Sequence, residues 1–140
     1  MQHYEVQLEQ AVVLAMFIPL IMSSGGNSGS QATSLLIRGL ALGDVTLKDW
    51  WRVLLRELPT GLVLGIGLGA LGFIRIVSWQ LLGLYDYGEH YLLIGFTIWA
   101  SLIGIVCFGS SIGSMLPFML QRCGLDPASA SAPLVATLVD

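Results

Sequence analysis

Charge is what this chain has least of. Only 11% of its 140 residues are Asp, Glu, Lys or Arg, where a soluble domain carries about a quarter. The shortage excludes an ordinary solvated surface. The charge present sums to -3, so a nucleic-acid partner has no electrostatic support. There are two cysteines, Cys107 and Cys123, in no CxxC pattern, and two histidines, His3 and His90, with no His or Cys neighbours. That leaves no zinc spacing, and the cysteines read as small hydrophobes. No Ser/His/Asp or Cys/His set stands out, so the chain is not read as an enzyme. The N-terminus lacks the basic residues of a secretory signal and carries Glu5 and Glu9 instead. Its first apolar segment is therefore expected to stay in the protein.

Hydrophobicity takes the place of charge. Apolar residues make up 55% of the chain, and the mean hydropathy is +0.79. These values predict an all-α membrane protein, a polytopic helical bundle in the bilayer of a cell membrane (the inner one in a Gram-negative cell). The first span is expected over 7–42. A span needs about 20 residues, and the apolar run from Ala11 to Met22 falls short alone. Pro19 favours a kink within it. The stretch Ser23-Ser24-Gly25-Gly26-Asn27-Ser28-Gly29-Ser30-Gln31 is poor in helix formers, since glycine costs a helix roughly 1 kcal/mol against alanine. Irregular backbone at membrane depth survives only when buried in protein or lining a wet cavity. The expectation is a Gly/Asn-broken helix. Two readings stand side by side: carbonyls and Asn27 facing an ion or water, or a helix-ending loop at the surface.

Further along, 44–58 reads as an interfacial helix with Thr46 or Asp44 as N-cap. Trp50 and Trp51 suit the headgroup level, while Arg52 and Arg56 snorkel. A contact surface for a cytosolic domain is the alternative. A second span follows over 60–84, where Gly61, Gly65 and Gly69 repeat GxxxG. That spacing allows close helix contact, within the chain or between two copies. Arg75 is expected to snorkel beside Trp79. A polar aromatic turn with Asp86 and Glu89 leads to a third span over 92–120, whose end is rich in Gly and Ser. Gly124 reads as a helix stop. A last helix starts over 127–140. Arg38, Lys48, Arg52, Arg56 and Arg122 put the first and third connections in the cytoplasm, with the N-terminus and middle turn outside.

Three segments carry a resemblance. PLIMSSGGNSGSQATSLLIRGLALGDV resembles the second membrane helix of the MgtE family of magnesium channels. KDWWRVLLRELPTGLVLG and GSMLPFMLQRCGLDPASASAPLVATLVD extend the likeness over nearly the whole chain. The resemblance implies a homodimer of five-helix subunits with a pore along the dimer interface, lined by the second and fifth helices. The transported ion would be Mg²⁺. Asp140 falls on the aspartate of the family's PLxATLxD motif, which contacts hydrated Mg²⁺. Gly26 and Asn27 belong to the second-helix pore motif, and the Ala136 carbonyl would face the ion's water shell. From the residues alone, Asp140 is the clear candidate for an intramembrane acid, which is a functional-site hypothesis by default; the other reading is an acid at a helix terminus with no such role. The family's first membrane helix, N-domain and CBS domains have no counterpart here, so a fragment is expected. Two other readings remain open: a non-conducting assembly module dimerising through Gly61, Gly65 and Gly69, and a coupled cation transporter, where broken helices are also common.

Overall fold

The computed structural model describes residues 2–139. Its elements are α1 (Gln2–Ala15), α2 (Ile18–Leu42), a 3₁₀ turn (Leu47–Asp49), α3 (Trp50–Leu81), α4 (Tyr91–Arg122) and α5 (Pro127–Val139). No strand occurs among the described residues. Three stretches are long and apolar enough to cross a membrane: Tyr4–Leu42, Leu47–Leu81 and Tyr91–Arg122. The protein is an all-α helical membrane bundle.

The break in the first stretch is displaced from where the sequence places it. α2 is helical straight through Ser23 to Gln31. The interruption lies at Met16 and Phe17, where α1 tightens and the Phe17 N–H turns to the Leu14 carbonyl at 3.0 Å. Pro19 is the cause: it has no N–H to offer, and its ring crowds the carbonyl four residues back, on Ala15. Below that point it sits in the first turn of α2, where its missing donor costs nothing.

The segments expected as an interfacial helix and a second span form one helix. α3 runs 32 residues through Pro59, about 48 Å at 1.5 Å per residue. A hydrocarbon core is about 30 Å thick, so α3 is long enough to cross it and extend beyond. Thr46 begins this part of the chain: its N–H and hydroxyl both donate to Asp49 Oδ2, at 3.0 and 3.2 Å. Gly43, at φ 75°, closes α2 just before it.

α4 is the hub. Against α3 it runs antiparallel, and each step of four residues up one helix meets a step of four down the other. A Cβ at Gly61 would lie 3.2 Å from Cys107 Cα, and one at Gly65 2.6 Å from Ile103 Cα. A Cβ at Gly69 would fall on the Trp99 ring. The indole takes that room and donates from Nε1 to the Ile66 carbonyl at 3.2 Å. The double GxxxG is therefore filled within the chain, and the assembly-module reading loses its dimer face. Around Ile98 and Leu102, the residues Val13, Phe17, Ile76, Tyr87 and Ile94 close the core at the α1 end. Arg75 rests over the Trp79 ring, 4.5 Å from its centroid, as a snorkelling cation would.

Candidate functional site

The Gly/Ser run of α2 has two faces. One is buried and packs on α4 in parallel. A Cβ at Gly109 would land on the Gly25 carbonyl oxygen, and one at Gly113 on the Gly29 carbonyl. Backbone thus lies on backbone, which only glycine permits. One turn further, Thr33 is buried and its hydroxyl donates to the Gly113 carbonyl at 2.8 Å. α5 completes this face. A Cβ at Gly29 would meet Val135 Cγ1 at 2.7 Å, and one at Gly25 would meet Val139 Cγ1 at 2.8 Å. Gly25 and Gly29 serve helix packing, and the backbone of the run stays within a regular helix.

The other face is polar and exposed. Ser23, Asn27, Gln31, Ser34 and Arg38 follow one another at intervals of three or four residues, so they share one side of the helix. The Asn27 amide donates to Ser23 Oγ at 3.4 Å, and Ser34 Oγ to the Ser30 carbonyl at 2.9 Å. The Asn27 carbonyl oxygen and the whole Gln31 amide have no partner among the described residues. Ser30, Gln31, Ser34 and Leu35 line a shallow, open concavity of about 420 Å³. Free amides cannot face hydrocarbon cheaply, so this side of α2 is built for water or for another polar surface.

Of the four residues singled out in the sequence, Asn27 is exposed on this polar face. Gly26 is half-buried beside it, and Ala136 is half-buried on α5. Asp140 lies outside the described residues; the residue bonded to it, Val139, is buried and seated at Gly25. The packing of Val135 and Val139 on Gly29 and Gly25 brings the α5 segment that carries Ala136 to the Gly/Ser run. Gln31 and Ser34 were not singled out, though their spacing from Asn27 would have found them. No group of three or more His, Cys, Asp or Glu that could hold a dehydrated metal ion occurs among the described residues.

The turn at the opposite end of the third span leaves little for a cation. Asp86 Oδ1 accepts from the Gly88 N–H at 2.9 Å and from Gln80 Nε2 at 3.2 Å. The Gly88 backbone bond first, and then the Gln80 amide, hold its carboxyl below the usual aspartate range. Gln80 Oε1 also accepts from the Tyr87 N–H at 2.7 Å, so the carboxylate serves to fix the turn. Asp126 does likewise at the start of α5, where its Oδ1 accepts from the Ala128 N–H at 3.1 Å.

The family model for MgtE, described as a divalent cation transporter, matches residues 18–140. The chain is 43% identical over 140 residues to the magnesium transporter MgtE of Thermus thermophilus, covering 100% of this chain and 29% of that one. It is 34% identical over 138 residues to the magnesium transporter MgtE of Enterococcus faecalis, covering 99% and 28%. Against the Bacillus subtilis protein of the same name it is 33% identical over 138 residues, covering 99% and 29%. The chain thus spans less than a third of the length of each relative.

Proposed function

The chain belongs to the MgtE family of divalent cation transporters, and from that premise we propose that it supplies the wall of a Mg²⁺ pore at a homodimer interface. The observation that carries the proposal is the exposed polar face of α2, where the Asn27 carbonyl oxygen and the Gln31 amide have no partner among the described residues, within the apolar stretch Tyr4–Leu42. Mg²⁺ sheds water reluctantly and is usually held through retained waters. Uncharged amides and hydroxyls suit such an ion, because they hydrogen-bond its water shell without stripping it. Asn27 and Gln31 would take that part along α2, and the Ala136 carbonyl would take it on α5. Asp140 would bring the charge. Two copies of this carboxylate, one from each subunit, repel unless a cation stands between them. The site then favours a divalent ion by charge and selects it by the size of its hydrated form, with flux down the electrochemical gradient.

The test is to graft this chain in place of the matching segment of the Thermus thermophilus magnesium transporter and follow Mg²⁺ uptake into proteoliposomes. Uptake by the graft, lost in Asp140→Asn and reduced about tenfold or more in Asn27→Leu, is expected; a tenfold loss corresponds to about 1.4 kcal/mol, the order of one hydrogen bond to a charged group. Undiminished uptake in Asp140→Asn would move the ion path elsewhere. Uptake that required a proton or sodium gradient would replace the channel by a coupled transporter.

A further inference from the structure

At the end of the bundle where the basic residues gather, α3 and α4 part to leave a groove. Leu47, Trp50 and Leu54 form one wall, and Met115, Phe118, Met119 and Arg122 form the other, around a cavity of about 320 Å³. The floor is apolar. The one charge is Arg122, and it has no hydrogen-bond or ion-pair partner among the described residues. Asp49 and Asp126, the acids nearest along the chain to the two walls, are hydrogen-bonded to Thr46 and to the Ala128 N–H.

From Arg122 back to Met115 is two helical turns, about 10 Å, running from the charged end towards the middle of the membrane. This layout places an unpaired guanidinium at headgroup level and an apolar channel inward from it. A phospholipid has the complementary layout, with an anionic phosphate at one end and acyl chain from there inward. Guanidinium matches phosphate by its planar fork of donors, and basic pockets between membrane helices on the cytoplasmic side suit anionic headgroups. Trp50, 40% exposed, and Met119, 63% exposed, leave the groove open at its side.

We propose that the groove between the start of α3 and the end of α4 binds one anionic phospholipid of the cytoplasmic leaflet, its phosphate on Arg122 and an acyl chain over Leu54, Met115 and Phe118. The site is separate from the polar face of α2 and does not depend on what crosses there.

Native mass spectrometry of the full 140-residue chain, released from micelles doped with equal phosphatidylglycerol and phosphatidylcholine, tests it. One phosphatidylglycerol retained per chain is expected, at about fivefold over phosphatidylcholine, the ratio one basic side chain near an anionic headgroup supplies. Arg122→Gln should bring that ratio close to one. Met119→Trp, at an exposed position, should fill the groove and lower the retention of both lipids. Equal retention of the two lipids by the unaltered chain would overturn the proposal, as would a ratio unchanged in Arg122→Gln or retention unchanged in Met119→Trp. Retention of neither lipid would overturn it too, and would leave the groove to a protein segment or a second copy.

Discussion

Glycine does two different jobs in this molecule, and neighbouring positions separate them. At Gly113 a methyl group would fall on the Gly29 carbonyl, a backbone atom that cannot rotate away. At Gly67, two residues from the buried Gly65, a methyl group would meet nothing within 4 Å. Gly113→Ala is expected to cost about 1 to 3 kcal/mol, as overpacking does. Gly67→Ala should gain about 0.5 to 1 kcal/mol, because alanine has fewer unfolded conformations to lose and a better helix propensity. Reversible unfolding in mixed micelles, followed by helical circular dichroism, measures both. A stable Gly113→Ala would mean that α2 and α4 stand further apart than described.

Among the helices, the most informative is the pair α1 and α2. Its apolar length and the kink at Pro19 were legible in the sequence, but the second break expected in the Gly/Ser run is absent. Low helix propensity pointed to Ser23 through Gln31. The tight contact of Gly25 and Gly29 with Gly109 and Gly113 repays that propensity cost, and such a contact is invisible until the partner helix is placed. Pro19 acts through its own bonds: its missing N–H and its ring bear on the turn at Ala15. Pro19→Ala should therefore join α1 and α2 into one straighter helix. Spin labels at Glu9 and Ser34, both exposed, with Cys107 and Cys123 replaced, would report this as a longer, narrower distance distribution; an unchanged distribution would place the cause of the break elsewhere. The boundary drawn at Pro59 failed for the complementary reason. α3 is already wound on both sides of that residue, and the missing donor faces a carbonyl on Leu55, which is exposed.

For the molecule as a whole, composition and basic-residue bias gave the membrane class and a consistent direction for each helix: α2 and α4 parallel, α3 opposed. Asn27 was legible because an amide is conspicuous in an apolar run. Gln31 and Ser34 were hidden among other small polar residues, and only the helical register reveals that they share its side. The sequence left open whether Gly61, Gly65 and Gly69 hold helices together within one chain or between two. Since Gly65 lies on the Ile103 backbone, Gly65→Ile should prevent folding, with loss of the near-ultraviolet signal of Trp99 held at Ile66. Gly67→Leu, on the exposed side of the same helix, should keep it. A folded Gly65→Ile that had merely become monomeric would restore the inter-chain role.

The seating of α2 on α4 has a mechanical consequence. Where side chains separate two helices, their rotamers can turn and the spacing can breathe. Here, at Gly109 and Gly113, carbonyl oxygens of α2 rest against glycine with no side chain between them. A passage bounded by α2 cannot be narrowed by adjusting that seam. If the passage proposed above opens and shuts, it does so by moving α2, α4 and the valines of α5 together.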